Sequence, residues 1–217
     1  MSTYLITGAN RGIGLEFARE LAARGGQTLI GTARDPDKAP ELARLVHQVI
    51  RLDVSDPESI GAMARSLGDR PVDVLINNAG VTGVSKKVAD LKLADLQRVF
   101  TVNSFGPLLV TGAVLENPRR GERKTVFNIT SQLGSIKNNT GGSTYEYRGS
   151  KAALNQLTVC LANELRGAEG QGFCCVAVHP GWVQTDMGGK NATLTPEESV
   201  RSMLKVMDGL KAGDNGK

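Results

Sequence analysis

Apolar and polar segments alternate along this chain in a regular rhythm of short apolar runs and longer amphipathic stretches. The apolar runs are continuous, which is typical of strands that are covered on both faces of a parallel sheet. Strands are predicted at 4–6, 28–33, 49–52, 72–76, 125–129 and 173–178, and helices at 12–24, 36–45, from 57 onward, 91–116, 145–165 and 196–210. The pattern predicts the α/β class, with one doubly wound parallel sheet, helices on both faces and a single domain over residues 1–217.

A glycine-rich segment, TGANRGIG at 7–14, lies between the first predicted strand and the first predicted helix. Its three glycines permit positive φ angles and let phosphate oxygens approach the backbone closely. The helix N-terminus beyond it supplies free N–H groups and a partial positive charge. The segment predicts a Rossmann-type dinucleotide site, and a tight structural turn is the alternative. The predicted cofactor-binding residues in it are Gly8, Asn10, Arg11, Gly12, Ile13 and Gly14.

Two further strand ends extend this prediction. Asp53 follows the third strand, where a carboxylate can accept a hydrogen bond from an adenine amino group. Asn78, Ala79 and Gly80 follow the fourth strand, where small residues let a cofactor ribose lie against the backbone. The alternative for each position is an ordinary turn residue.

Arg11 and Arg34 bear on the choice of cofactor. Arg34 lies just past the second strand, and Ala33 precedes it at a position where a ribose-binding acid is often found. Two guanidinium groups favour a 2′-phosphate, and no acid lies nearer than Asp35. NADP(H) is therefore predicted over NAD(H), which stays the alternative, as does the interpretation of both arginines as surface charges.

Tyr147 and Lys151 lie at i and i+4, one helical turn apart on one face of a predicted helix. An ammonium, together with an oxidised nicotinamide, stabilises a phenolate and makes the phenol a usable acid or base. Ser131 follows the fifth strand and can hydrogen-bond a substrate oxygen. Asn103, in the helix predicted at 91–116, can anchor a water that links Lys151 to solvent. Tyr145 lacks a lysine at i+4 and is interpreted as a loop or pocket-wall residue.

Composition excludes several other functions. The net charge is +4 with scattered basic residues and few aromatics, so nucleic-acid binding is not predicted. The three cysteines form no framework, and no cluster of His, Cys and Asp predicts a metal site. No signal peptide precedes Thr3 and no apolar run reaches transmembrane length, so we expect a cytoplasmic protein without a membrane partner.

These motifs together resemble the short-chain dehydrogenase/reductase family. The resemblance rests on residues 7–14, Asp53-Val54, 77–80, Asn103, Ser131, YRGSK at 147–151 and PGWVQT at 180–185, and within the family on residues 131–148 and 179–187, which resemble the C-factor and sniffer-like carbonyl reductases. It implies a catalytic tetrad of Asn103, Ser131, Tyr147 and Lys151. It also implies that Val54, Val183 and Thr185 contact the cofactor, and that Tyr147 and Lys151 do so too.

The resemblance implies an NADP(H)-dependent oxidoreductase that transfers a hydride between the nicotinamide and a carbonyl or alcohol substrate. The alternative is a C-factor-like signalling protein that binds cofactor without physiologically important turnover. A homodimer is implied through the helices at 91–116 and 145–165. Relatives usually continue into a final edge strand where this chain ends at Lys217, so contacts that such a strand makes are in doubt here.

Overall fold

The structure is a computed structural model that describes residues 1–167 and 172–217. Within these residues six strands form one sheet in the order β3-β2-β1-β4-β5-β6, and all neighbouring strands are parallel. The strands are β1 (Thr3–Ile6), β2 (Thr28–Ala33), β3 (Gln48–Arg51), β4 (Val74–Asn77), β5 (Thr125–Ile129) and β6 (Cys174–Val178). The α-helices are α1 (Gly12–Arg24), α2 (Pro40–Leu45), α3 (Pro57–Leu67), α4 (Leu93–Phe100), α5 (Gly106–Ala113), α6 (Glu116–Arg120), α7 (Tyr145–Glu164) and α8 (Pro196–Asp208).

Two apolar clusters cover the two faces of the sheet. Tyr4 and Ile6 of β1 point into one cluster, to which α1 and α8 contribute. Leu5, between them, points into the other cluster, to which α3, α5 and α7 contribute. Because successive side chains of a strand point to opposite faces, a continuous apolar run serves both clusters at once. The doubly wound, Rossmann-type α/β prediction is confirmed.

The strand order reverses between β1 and β4. The first three strands run outward from β1 in one direction, and the next three run outward from β4 in the other. The loops at the carboxyl ends of these two central strands therefore diverge and leave a crevice between them, which is where ligands bind in open α/β sheets.

The helix predicted at 36–45 is wrong as a single element. A 3₁₀ turn at Pro36–Lys38 is followed by the short helix α2, and between them Ala39 has φ −123° and ψ 49°. The ring of Pro40 crowds the backbone of the preceding residue and disfavours its helical conformation. Two prolines four residues apart therefore divide the segment.

The helix predicted at 91–116 is present but not uniform. A π-helical turn at Thr101–Phe105 joins α4 to α5, and the helical path then bends at Val114 before α6. Such turns insert an extra residue into the helical ladder and occur frequently at functional sites. Nothing in the apolar periodicity distinguishes this turn from an α-helix.

The predicted start of the last helix is confirmed. The hydroxyl of Thr195 accepts from Glu198 N–H at 3.2 Å, and the Glu198 carboxylate accepts from Thr195 N–H at 2.8 Å. This reciprocal capping box satisfies two amides that the helix itself leaves free. Among the helices of the described residues, none is long and apolar enough to cross a membrane.

The last residues of the chain run beside the outer edge of β6. Gly216 N–H donates to Cys175 C=O at 2.9 Å, and Ala177 N–H donates to Lys217 C=O at 2.8 Å. Cys174 and Cys175 pack against different apolar clusters, as expected for neighbours on a strand. The outer edge of β6 is therefore partly paired.

Candidate active site

The glycine segment turns sharply between β1 and α1. Gly8 and Gly12 have φ angles of 62° and 54°, a region that side chains other than glycine rarely adopt. Gly14 has no room for a side chain, because a Cβ there would collide with the carbonyl oxygen of Gly8 and the amide of Asn78. The first turn of α1 carries no side-chain cap from its N-cap residue Arg11, so its backbone N–H groups stay available.

Residues after β4 are joined to this turn. The Asn78 side-chain amide donates to the carbonyl oxygens of Thr7 and Gly8 at 3.0 and 3.1 Å. The hydroxyl of Thr7 in return accepts from the backbone N–H of Asn78 and Ala79 at 3.0 and 3.1 Å. Asn78 and Ala79 therefore brace the glycine turn, a contact that joins residues about seventy positions apart.

The end of the crevice outside β2 and β3 contains Arg34 and Asp53. The Asp53 carboxylate accepts from Ser55 N–H at 2.9 Å, so one of its oxygens is held within its own turn. Although burial raises the pKa of Asp53, hydrogen bonds from Ser55 and the nearby charge of Arg34 together bring it below the ordinary value. Val54 beside it is buried. The Asp35 carboxylate is paired with the Lys38 ammonium at 2.9 Å.

Arg11 forms an ion pair across the crevice mouth. Its guanidinium pairs with Asp186 at 3.0 Å, in the segment that follows β6. Both side chains are exposed, so the pair adds little stability by itself. Asn10 next to it is exposed, and Ile13 packs against the cluster under α1.

The segment after β6 lies against the glycine turn. The space beside Gly12 is bounded by the Thr185 methyl group, 3.4 Å from where a Cβ would stand. The Thr185 hydroxyl accepts from Gly188 N–H at 3.2 Å, and the Trp182 indole N–H donates to Gly188 C=O at 2.8 Å. Val183 is buried beneath them. The segment after β6 therefore meets the glycine turn at Thr185 and Gly12.

Ser131, Tyr147 and Lys151 meet at the carboxyl end of β5. Ser131 begins a 3₁₀ turn and its hydroxyl accepts from Leu133 N–H at 3.1 Å. The Lys151 ammonium donates to Ile129 C=O at 2.7 Å and lies 5.9 Å from the centre of the Tyr147 ring. Burial raises the pKa of Tyr147, which a hydrogen bond with the Ser131 hydroxyl partly offsets. Burial lowers the pKa of Lys151 to about 8.

Asn103 lies in the π-helical turn and is completely buried. Its side-chain oxygen accepts from Val81 N–H at 2.8 Å, and its amide donates to Val81 C=O at 2.9 Å and to the Ser150 hydroxyl at 3.0 Å. A Cβ on Gly80 would stand 3.4 Å from the Asn103 oxygen and 3.9 Å from the Lys151 nitrogen. The π turn therefore brings Asn103 between the strand end at Gly80 and the helix that carries Tyr147 and Lys151.

Sequence reasoning missed two residues of this region, Glu146 and Ser85. Glu146, next to Tyr147, is fully buried, and its carboxylate accepts from the Ser85 hydroxyl at 2.5 Å. The only signal in the sequence was an acid in the first turn of a predicted helix, which normally indicates a solvated end. Tyr145, in contrast, stays 41% exposed.

Among the described residues, no group of three or more His, Cys, Asp or Glu side chains is arranged to hold a metal ion.

The family model of the short chain dehydrogenases matches residues 2–194. The chain is 49% identical over 156 residues to the C-signal of Myxococcus xanthus, which covers 72% of this chain and 92% of that protein. It is 31% identical over 223 residues to the 1-hydroxy-2-glutathionyl-2-methyl-3-butene dehydrogenase of Rhodococcus sp. strain AD45, covering 100% and 95% of the two chains.

Two solved structures have the same fold over the whole chain. The NADPH-bound carbonyl reductase from chicken fatty liver superposes with a TM-score of 0.91 at 38% identity, covering 100% of this chain and 94% of that one. The carbonyl reductase Sniffer of D. melanogaster gives a TM-score of 0.91 at 30% identity, covering 100% and 95%. The chain therefore belongs to the short-chain dehydrogenase/reductase family of oxidoreductases, in the branch of the C-factor and the sniffer-like carbonyl reductases.

Proposed function

We propose that this oxidoreductase reduces a small carbonyl substrate with NADPH, and that Tyr147 is the general acid. The observation that carries the proposal is the meeting of Ser131, Tyr147 and Lys151 at the carboxyl end of β5, where the Lys151 ammonium donates to Ile129 C=O and lies 5.9 Å from the centre of the Tyr147 ring. A carbonyl oxygen placed between the two hydroxyls accepts hydrogen bonds from both. The cluster lies beside a glycine turn suited to a dinucleotide, which joins acid chemistry to hydride chemistry.

The crevice fits a nicotinamide dinucleotide. The uncapped first turn of α1 and the left-handed Gly8 and Gly12 form a cradle in which a side chain would obstruct phosphate oxygens. Asn78, Ala79 and Gly80 would face the ribose, and Val183 and Thr185 the carboxamide, while Arg34, Asp53 and Val54 would surround the adenosine. When bound, the cofactor supplies the hydride to the carbonyl carbon. The remaining predicted cofactor contacts are Asn10, Arg11, Ile13, Gly14, Tyr147 and Lys151.

The protein's own residues handle the proton. Burial keeps the Tyr147 phenol protonated at neutral pH, so it is ready to donate to a developing alkoxide. Lys151, with a pKa of about 8, holds its charge there and can return a proton to the phenol. Asn103 is hydrogen-bonded to the backbone of Val81 and to the Ser150 hydroxyl. These bonds fix the chain segments on either side of Lys151.

We infer a preference for NADP(H) over NAD(H). Arg34 is free of the Asp35 carboxylate, which Lys38 engages, and can therefore receive a 2′-phosphate. The chicken carbonyl reductase with a closely similar fold was solved with NADPH. Since one N–H of Arg11 is paired with Asp186, the inferred phosphate contact is assigned first to Arg34, and Arg11 stays a predicted cofactor contact through its other donors.

The 49% identity to the C-signal favours a second candidate, a signalling protein that binds cofactor without physiologically important turnover. A protein that only binds cofactor has no need of a phenol and a buried ammonium beside each other, as Tyr147 and Lys151 are here. We therefore place the enzyme first. A cytoplasmic location and a homodimer belong to the same proposal.

The test is an NADPH-oxidation screen of the purified chain against aldehydes, ketones, diketones and quinones. With the best substrate, Tyr147→Phe keeps the ring and its packing but removes the transferable proton. Turnover should fall by at least ~10²-fold, the usual contribution of a positioned acid, while NADPH affinity changes little. Tyr145→Phe is the matched control and should stay within a few-fold. Near wild-type reduction by the Tyr147 variant would remove the proposed acid, and a screen without turnover would favour the signalling candidate.

A further inference from the structure

Glu146 is a completely buried acid beside the proposed general acid, and the proposed chemistry does not use it. Its exposed fraction is 0%. One carboxylate oxygen accepts from the Ser85 hydroxyl at 2.5 Å and from Ser85 N–H at 3.2 Å. Acids are seldom buried completely unless partners compensate the lost hydration. Both of these bonds come from Ser85, 61 positions earlier in the chain.

The ionised form of Glu146 is stabilised at the start of α7. Burial raises its pKa, but the Ser85 hydroxyl and the backbone N–H groups of Glu146, Ser85 and Val84 bring it below the ordinary value. The N-cap residue Thr144 provides no side-chain cap. A carboxylate in the first helical turn interacts favourably with the helix dipole, so Glu146 serves the helix while it binds the loop.

The loop side of the contact is shaped to receive this carboxylate. A Cβ on Gly83 would stand 2.8 Å from the second carboxylate oxygen and 3.1 Å from the Cβ and Cδ of Glu146. That second oxygen is buried without a hydrogen-bond partner among the described residues. Gly83 has no positive φ, so the need for glycine there is one of space and not of backbone conformation.

Residues 81–85, which we name the clamped loop, are therefore held at both ends. Asn103 binds both backbone groups of Val81, and Glu146 binds both the hydroxyl and the N–H of Ser85. Between these anchors Val84 projects an apolar side chain that is 65% exposed. One anchor, Asn103, belongs to the proposed tetrad, and the other is covalently next to Tyr147.

We propose that Glu146 is a positioning residue that fixes the clamped loop as a wall of the substrate pocket and thereby sets which carbonyl compounds reach Tyr147. The proposal rests on the proposed reductase function. Tyr147 is held by the helix that carries it, so loosening the clamp moves the loop and leaves the phenol in place. The effect of breaking it therefore belongs to substrate binding and selectivity.

Three substitutions break the clamp from its two sides: Glu146→Gln, Ser85→Ala and Gly83→Ala. For a bulky ketone that the wild type reduces well, each should lower kcat/KM about tenfold, mainly through KM, and leave NADPH affinity within twofold. The preference for that ketone over a small aliphatic aldehyde should narrow. The double variant of Ser85→Ala and Glu146→Gln should be no worse than either single variant, because both remove one interaction.

Exposed positions provide the controls, Glu164→Gln on the same helix and Ser66→Ala on α3. Hydrogen exchange supplies a second readout that needs no turnover. Peptides over 81–87 should exchange about tenfold faster in Ser85→Ala and Glu146→Gln, while those over the middle of α7 keep the wild-type rate. Ser85→Ala and Gly83→Ala leave the helix intact, so the test survives if the Glu146 variant does not fold.

A purely structural role for Glu146 gives a different pattern, in which exchange rises at 145–149 alone and KM is unchanged. That pattern, or additive losses in the double variant, would overturn the clamp. If the wild-type protein reduces no carbonyl compound, the proposed function is wrong. If hydrogen exchange at 81–87 is then also unchanged in the variants, the clamp is wrong as well. If the wild-type protein is active and all three variants keep the wild-type KM, the clamp alone is wrong.

Discussion

At the scale of one residue, the burial of the Lys151 ammonium serves the proposed chemistry and lowers the stability of the folded protein. Its ammonium lies in a site that is 5% exposed, with the Ile129 carbonyl as its hydrogen-bond acceptor. Burial disfavours the charged form and lowers its pKa to about 8 from the ordinary 10.5. A proton that is weakly held is useful beside a phenol that must be reprotonated. The same shift means that the folded state binds this proton less tightly than the unfolded chain does.

Lys151→Met tests that cost through the pH dependence of folding. Between about pH 8 and pH 10.5 the unfolded chain holds more protons at this position than the folded protein, so the wild type gains stability as pH rises. The free energy of unfolding of the wild type, relative to Lys151→Met, should rise by about 2 kcal/mol from about pH 7.5 to about pH 9.5. Urea unfolding without cofactor measures it.

The comparison between the two proteins is needed because other groups titrate in the same range. Burial raises the pKa of Cys175 to about 12, so its titration works in the opposite direction and is common to both proteins. A difference between wild type and Lys151→Met that stays constant with pH would show that Lys151 keeps an ordinary pKa in the fold, and one that falls with pH would show that its pKa is raised.

Arg34 should decide between the two nicotinamide cofactors. Its guanidinium stands at the carboxyl end of β2, and the neighbouring Asp35 is already paired with Lys38 at 2.9 Å. NADPH should bind more tightly than NADH, and Arg34→Ala should weaken NADPH by about 1.5–3 kcal/mol, the range of a charge-assisted hydrogen bond, with little effect on NADH. Fluorescence titration of both cofactors measures this. Equal affinities in the wild type would contradict the inference.

At the scale of elements, the site depends on how the 3₁₀ turn at Gln132–Gly134 packs on α7. Gly134 lies so close to that helix that a Cβ would stand 2.8 Å from the backbone carbon of Lys151 and 3.0 Å from the nitrogen of Ala152. Helix backbone cannot move aside at such a point. The close approach therefore keeps Ser131, at the start of the turn, in reach of Tyr147.

Gly134→Ala should push the turn away from the helix. We expect a loss of about 1–3 kcal/mol in stability from overpacking, and a fall of roughly tenfold or more in turnover as the Ser131–Tyr147 pair separates. NADPH affinity should hold, since the glycine turn lies on other strands. Gly213→Ala is the control, because nothing lies within 4 Å of a Cβ there. Full activity in Gly134→Ala would show that the turn does not position Ser131.

At the scale of the whole molecule, one face of the sheet carries helices with exposed apolar side chains. Phe105 and Leu109 are both 47% exposed, and Val159 on α7 is 37% exposed. These helices occupy the face on which the sequence implies a two-fold interface. An isologous dimer repeats each contact twice, so one unfavourable substitution acts twice in the complex.

We expect light scattering at tens of micromolar to give twice the mass of the chain. Leu109→Asp should then give the monomer mass with the fold retained by circular dichroism, because it introduces two charges into the interface. Val206→Asp is the matched control on α8, which packs on the opposite face and is 50% exposed at that position. A wild-type monomer, or dissociation by the α8 variant instead, contradicts the prediction.

Local pattern determined much of this protein. The continuous apolar runs located all six strands to within about two residues, because burial on both faces leaves a signal in every residue of a strand. The glycine spacing, the i, i+4 relation of Tyr147 and Lys151, and the capping box at Thr195 are likewise local, since each needs only the geometry of one turn. Short-range sterics also explain why the helix predicted at 36–45 is divided, because the ring of Pro40 disfavours a helical conformation at the residue before it.

Only the tertiary structure decided which distant groups meet. The pairing of Arg11 with Asp186 spans 175 positions, that of Glu146 with Ser85 spans 61, and the π turn carries Asn103 to Val81. A polar side chain that ends in solvent and one that ends in a buried bond look alike in sequence. Their partners follow from strand order and helix packing, which arise from the summed burial of many side chains and leave no trace at the individual residue.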